Sequence, residues 1–302
     1  MNDSRRSHEA LSLRTFFDDQ IHHLQALIDR LNRPAHEKQQ QTAEDRQIVE
    51  SFVDASNSKM RAVHGYSHKL RAQVRTLYNH VLGIADEIPA PIILTPAAFM
   101  KDPLVNALFA CRQDIDKLFD TDSNVAAYLH AHNKYQIPVM YALLTANKRE
   151  KPKLGIALLG DKIIRDVPQQ AVNFSAHKIH APCASSAELN SALKKYLFDR
   201  VITLARQEMA SRMISPPFKT GVNSYASRVS SLANPEVYLN TLIDYIKSPA
   251  KLLVIEKNHF KLSKLGIKLG CNDSQCANEF DIHELTWPGT TKEVILQIAY
   301  VR

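Results

Sequence analysis

The spacing of apolar residues divides the chain into a helical first half and a second half in which strands alternate with helices. Apolar residues recur every three or four positions over residues 10–32, as in a helix with one buried face. The same spacing continues over residues 42–88. Beyond residue 138 the apolar runs are short and separated by polar residues, which is typical of strands. The pattern predicts a mixed α+β fold.

The strongest pattern is a series of apolar positions between Val49 and Ile88 that step by four and three residues. This alternation is the heptad period of a coiled coil. Thr42 before the series and Pro89 after it predict one helix on the order of 65 Å long, with Gly65 as a weak point. We expect it to form a helical hairpin with residues 10–32, an intermolecular coiled coil, or part of an ordinary bundle. The expected association seam consists of Val63, Leu70, Val74, Leu77 and Val81.

The middle of the chain predicts short helices followed by an antiparallel meander. Prolines and polar clusters divide residues 89–135 into short helical segments. Three apolar runs, at residues 139–146, 154–159 and 171–179, have connectors too short for parallel crossovers. A capping box of Ser185 and Glu188 then predicts a helix to about Met213.

The C-terminal part predicts one helix and a small sheet. Asn234 and Pro235 are residues typical of a helix start. Turn residues at positions 257–258 and 288–289 predict four antiparallel strands after residue 251. The chain is therefore divided into a helical hairpin with the heptad seam (1–88), a helical and β-meander region (89–215), and a helix with a four-stranded antiparallel β domain (216–302).

Composition narrows the class of protein. The chain has 302 residues, 45% hydrophobic and 23% charged, which is typical of a soluble globular protein. Its four cysteines are too few and too scattered for a disulfide framework. No apolar run approaches the roughly 20 residues of a transmembrane helix. We expect no secretory signal either, because no apolar core follows the charges of residues 1–6. We expect a cytoplasmic protein.

The motifs of several large enzyme classes are absent. No G-x-G-x-x-G follows a predicted strand, and neither G-x-S-x-G nor H-E-x-x-H occurs. Gly155 and Gly160 have the spacing of a phosphate-binding loop, but Asp161 stands where that loop needs lysine and would repel a phosphate. We therefore expect no cofactor and favour a non-enzymatic protein.

His177, His180 and Cys183 form an H-x2-H-x2-C cluster. Imidazole and thiolate are zinc ligands, so the three side chains are candidates for a metal site or for thiol chemistry. The alternative is that they are scattered, because strand alternation would direct His177 and His180 to opposite faces. Cys271 and Cys276 are a weaker candidate pair for a metal site or redox switch.

Positive charge is concentrated on part of the predicted long helix. The net charge is +7, and no acid lies between Asp54 and Asp86. A helical stripe of basic residues with one aromatic residue is expected to bind an anionic partner: Arg61, His64, His68, Arg71, Arg75 and Tyr78. The alternative is a solvated helix face, or one paired with acids of residues 10–32.

Three functions remain open from the sequence. The first is a non-catalytic cytosolic adaptor or scaffold that binds a protein partner or a second copy through the heptad seam. The second is a nucleic-acid-binding protein that uses the basic stripe. The third is a metal- or thiol-dependent enzyme built on His177, His180 and Cys183. Contact with a membrane surface also remains open, because a basic surface attracts phospholipid as well.

Overall fold

The computed structural model describes residues 42–132, 137–159, 162–214, 234–270, 277–289 and 292–301, without the side chains of 157–159 and 212–214. The predicted helix at 10–32, the region around Pro216, and both Cys271 and Cys276 lie outside these ranges. The helices are α1 (42–56), α2 (Tyr66–Glu87), α3 (Pro103–Leu108), α4 (Gln113–Thr121), α5 (Ser123–Ala131), α6 (Ser186–Ile214) and α7 (Pro235–Ile246). The strands are β1 (Ile92–Leu94), β2 (Val139–Leu159), β3 (Lys162–Cys183), β4 (Val254–Ser263), β5 (Ala277–Thr286) and β6 (Glu293–Val301). The mixed α+β prediction is confirmed.

All six strands belong to one curled sheet. Its order is β3-β2-β6-β5-β4 with antiparallel pairing, and β1 is added to β6 in parallel. The segment after β4 returns to β3, where Ile267 bridges Ala171 and the Val172 amide donates to the carbonyl of Gly266. The strands of the predicted middle and C-terminal regions therefore form a single sheet.

The sheet separates two apolar cores. Helices α1, α2, α6 and α7 cover one face, on which Leu143 and Ile295 lie. Helices α3, α4 and α5 cover the other face, on which the neighbouring Leu144 and Leu296 lie. Successive strand residues point to opposite faces, so the central strands are apolar on both sides.

The prediction of one helix from Thr42 to Ile88 is wrong. Helix α1 ends at Ser56, a short 3-10 helix spans Ser58–Ala62, and α2 starts after Gly65. The Ser56 hydroxyl donates to the Phe52 carbonyl, and the Asn57 side chain accepts from the Lys59 amide. Such side-chain bonds compete with the helical ladder, and Gly65 takes a left-handed φ of +69° that reverses the chain.

The heptad seam lies inside the chain's own core. Val63, Leu70, Val74, Leu77 and Val81 are all less than a tenth exposed. They pack in the core that α2 forms with α6 and α7. The apolar stripe is therefore covered within this chain, and the coiled-coil interpretation is not confirmed.

The strands of the middle region are longer than predicted. The polar runs at 148–153 and 166–169 lie within two strands, β2 and β3, rather than in loops between three short ones. The ladder continues through both runs, with Lys151 opposite Ala171 and Leu154 opposite Pro168. These segments have few apolar residues because both of their faces are largely open to solvent.

The C-terminal region contains three strands in its described residues rather than the four predicted. Lys257 and Asn258 lie within β4 and pair with His283 and Ile282 of β5. Lys257 forms an ion pair with Asp281 at 2.7 Å, and the Asn258 side chain donates to Glu284 at 2.6 Å. The two polar residues thus have cross-strand partners, so no turn is needed there.

Both predicted helix starts in the second half are confirmed. The Ser185 hydroxyl accepts from the Glu188 amide, and the Glu188 carboxylate accepts from the Ala184 amide, at the start of α6. The Asn234 side chain accepts from the Glu236 amide ahead of Pro235.

Replacing Gly65 with alanine tests the break between α1 and α2. Gly65→Ala should lower the free energy of unfolding by about 1–2 kcal/mol, because a Cβ disfavours the left-handed conformation. The matched control is Gly83→Ala within α2, where a Cβ meets nothing within 4 Å. The control should stabilise the protein by up to about 1 kcal/mol. Stabilisation by both substitutions in urea titrations would instead indicate a continuous helix.

Candidate functional site

The residues of the basic stripe do not form one free cationic surface, because two of its arginines form ion pairs. Arg61 lies in the 3-10 helix, where it pairs with Glu50 at 2.9 Å and Asp54 at 2.7 Å. Arg75 pairs with Asp45 of α1. Hydrogen bonds from Tyr66 and Arg61 hold the pKa of Glu50 below its ordinary value. Two of the three arginines therefore have acidic partners on helix α1.

The remaining members of the stripe do not form a common surface. The ring of Tyr78 packs edge-on against Phe198 in the core, with ring centroids 5.4 Å apart. Arg71 is half-buried, whereas His64 and His68 are exposed. The expected anion-binding face is thus reduced to two histidines and one partly covered arginine.

The H-x2-H-x2-C cluster is divided between the two faces of the sheet. The His177 ring stacks on Phe109, on the face covered by α3, at a centroid distance of 4.8 Å. The His180 ring lies 4.9 Å from the ring of Tyr196 of α6, on the other face. Within the described ranges, no three His, Cys, Asp or Glu side chains are grouped so that they could hold a metal ion.

The protonation of these residues follows from burial. Burial lowers the pKa of both His177 and His180, and it raises the pKa of the Cys183 thiol. Burial also raises the pKa of Tyr196 to about 12. A reactive cysteine needs a lowered pKa, so the environment of Cys183 is that of a structural thiol.

The second half contains a feature that the sequence analysis missed. Strand β2 pairs with β6 only as far as Asn147, and it continues to Leu159 paired with β3 alone. The segment after β4 flanks β3 as far as Gln170, which is opposite Pro152. The seven residues of β2 beyond Pro152, at about 3.4 Å each, therefore form a two-stranded extension of roughly 24 Å. We call residues 149–156 of β2 and 162–169 of β3 the arm.

The arm is amphipathic. Arg149, Lys151 and Lys153 occupy alternate positions and therefore share one face. Leu154 and Ile156 lie on the opposite face and are 65% and 62% exposed. Ile163 is the ladder partner of Leu158, which lies two positions after Ile156, so Ile163 lies on the same face as Ile156. It is 67% exposed. The arm thus presents a row of cations on one side and a row of exposed aliphatic side chains on the other.

The cations of the arm have no acidic partners in the part of the chain that the structure describes. Five of them are exposed: Arg149, Lys151, Lys153, Lys162 and Arg165. Around β4, by contrast, three lysines have acidic partners: Lys247 pairs with Asp244, Lys257 with Asp281 and Lys261 with Glu279. The arm therefore holds a group of exposed cations that form no ion pair among the described residues.

An ion cluster around the buried Glu284 joins the arm to the sheet. The ammonium of Lys148 lies 2.7 Å from Glu284 and 2.9 Å from Glu150. Glu284 is fully buried and also accepts from Asn258, while Glu150 accepts from Gln170 at 2.6 Å. These bonds connect β2, β3, β4 and β5 where the arm begins.

The charges of this cluster stabilise one another. Burial alone would lower the pKa of Lys148, but hydrogen bonds to Glu284 and Glu150 outweigh it and raise that pKa. The hydrogen bond from Lys148 likewise lowers the pKa of Glu150. The contribution of Lys148 to the free energy of unfolding is therefore present at pH values below the pKa of this lysine in the unfolded chain. The contribution of Glu150 is lost as the pH falls through the pKa of Glu150 in the folded chain.

Comparison with known proteins gives no relative from which a function could be transferred: no protein-family model, curated protein or solved structure matches the chain. None of the helices in the described ranges combines the length and the apolar content required to cross a membrane.

Removing one member of the buried ion pair should destabilise the protein strongly. Lys148→Met leaves the buried Glu284 carboxyl group without its ammonium partner, and Glu284→Gln removes the main partner of Lys148. Each single variant should lose about 3–5 kcal/mol of unfolding free energy at neutral pH.

The double variant should lose clearly less than the sum of the two single losses, as measured in urea. The exposed pair Lys195 and Asp199 is the control, whose disruption should change stability by less than about 1 kcal/mol. Strict additivity at Lys148 and Glu284 would show that the two charges do not interact.

Proposed function

We propose that this protein is a non-catalytic docking protein that holds an anionic partner with the arm. The observation that carries the proposal is the amphipathic arm, with five exposed cations and a row of exposed aliphatic side chains. A field of one sign attracts an anionic partner and accelerates its encounter. The rest of the described chain acts as the folded body from which the arm extends.

The pairing of charges favours the arm over the basic stripe. Arg61 and Arg75 already bind carboxylates, so an anion would have to displace Glu50, Asp54 or Asp45. The cations of the arm lack such competitors among the described residues. An anionic partner can therefore interact with these cations without displacing a carboxylate, and solvent screening alone weakens the attraction.

A docking role retains the adaptor class expected from the sequence but moves the contact surface. Association through Leu70, Leu77 and their neighbours would require these buried side chains to leave the core. The arm needs no such rearrangement, since its side chains are already exposed.

A non-catalytic role is supported by the separation of the reactive side chains. His177 and His180 contact helices on opposite faces of the sheet. The raised pKa of Cys183 keeps its thiol protonated near neutral pH.

Retention on heparin, a polyanion without bases, tests whether the arm carries the anion-binding surface. The variant Arg149→Gln, Lys151→Gln, Lys153→Gln should elute at a clearly lower salt concentration than the unmodified chain, because three free cations are lost. The matched control Lys247→Gln, Lys257→Gln, Lys261→Gln removes the same charge at residues that form ion pairs. The control should elute close to the unmodified chain, and equal elution of the two triple variants would contradict the proposal.

A further inference from the structure

We propose that the anionic partner of the arm is a phospholipid bilayer surface, on which the arm lies with its aliphatic face toward the acyl chains. This inference rests on the proposed docking function and names its partner. An amphipathic helix with cations on its polar face binds in the interface plane, its apolar face buried by about 5–10 Å. The arm has both features in a two-stranded form.

The aliphatic face of the arm is large for a surface in water. Leu154, Ile156 and Ile163 lie on this face and are each more than 60% exposed. Ile164 adds a fourth aliphatic side chain on the opposite face near the end of the hairpin and is 41% exposed.

The charges are arranged for an anionic surface. Arg149, Lys151 and Lys153 project from the polar face, and their long side chains can reach headgroups while their stems cover apolar surface. Lys162 lies on the same face near the end of the hairpin, because it pairs with Leu159. The cations therefore accompany the aliphatic row along the arm.

The acids of the arm do not oppose this orientation. Glu150 is on the aliphatic face, but Lys148 neutralises it and Gln170 donates to it. Asp166 is the other acid, and it lies in an irregular segment of β3 with a left-handed φ of 59°. Asp166 and the adjacent cation Arg165 form a bulge opposite Ile156, between the pairs Gly155–Val167 and Ala157–Ile164. The one free carboxylate beside the aliphatic row of the described arm thus has a residue of opposite charge next to it.

Other partners would use only half of the arm. A nucleic acid would contact the cations and leave the aliphatic row in water. An apolar protein surface, or a second copy of this chain meeting aliphatic face to aliphatic face, would leave the cations without partners. An anionic bilayer provides headgroups for one row and acyl chains for the other.

Sedimentation of the full chain with lipid vesicles tests the inference. The unmodified chain should bind vesicles of equimolar phosphatidylcholine and phosphatidylserine, and it should bind phosphatidylcholine vesicles far more weakly. Binding should decrease as salt is added, because the electrostatic part is screened. The variant Arg149→Gln, Lys151→Gln, Lys153→Gln should lose roughly 100-fold in partitioning, since each cation near such a surface contributes a factor of about five.

The aliphatic face is tested separately. Ile156→Ser with Ile163→Ser should lower partitioning by at least about tenfold, because two aliphatic side chains no longer enter the apolar layer. The matched control is Ile93→Ser with Met100→Ser, which changes two side chains outside the arm that are 61% and 78% exposed. The control should bind vesicles like the unmodified chain, and circular dichroism should show that all variants remain folded.

The outcomes separate this inference from the docking function. Arm-dependent binding to heparin without binding to anionic vesicles would leave the docking function standing and overturn the bilayer as partner. Vesicle binding that is insensitive to Ile156→Ser with Ile163→Ser would also overturn it, since the lipid would then be only a polyanion. Concentration-dependent dimers that these two substitutions abolish, in the absence of vesicle binding, would instead identify a second copy as the partner.

Discussion

The fold depends on a sheet whose central strands are buried on both faces. Along β2 and β6, neighbouring residues alternate between the two cores, as Leu143 and Leu144 do. Each face must then be covered by helices, because an apolar sheet face in water is unstable. Helices α2, α6 and α7 cover one face, and the heptad stripe of α2 is buried in the core that they form there.

The same constraint defines where the body ends and the arm begins. Beyond Asn147, β2 loses its second neighbour, and the residues change from apolar on both faces to cations on one and aliphatic side chains on the other. The cluster of Lys148, Glu284 and Glu150 lies at this transition and ties four strands together. A two-stranded ribbon has little stability in water by itself, so anchoring at its base and covering of its aliphatic face both matter.

Local patterns in the sequence predicted the elements whose causes are local. The helix starts at Ser185 and Asn234 follow from side chains that cap nearby amides. The period of three and four identified the buried face of α2, but it could not show which surface covers that face. The covering helix α6 begins about a hundred residues after the end of α2, and periodicity carries no such information.

The arm could have been recognised from its own alternation. Cations at 149, 151 and 153 and apolar residues at 152, 154 and 156 have the period of two expected for an amphipathic strand. The density of charge at 148–153 suggested a loop instead, because strands that expose both faces to solvent are uncommon. The ion pairs that neutralise Arg61 and Arg75 were not predictable, since they depend on the break at Gly65 that turns α1 back along α2.

Hydrogen exchange of the backbone amides, with and without phosphatidylserine-containing vesicles, tests most directly whether the arm is the docking element. Without vesicles, the amides of residues 139–147, which lie between β3 and β6, should exchange far more slowly than those of the arm. With vesicles, protection should increase in the arm and stay unchanged in the body. Increased protection around residues 61–78 instead, or no change anywhere in the chain, would contradict the account.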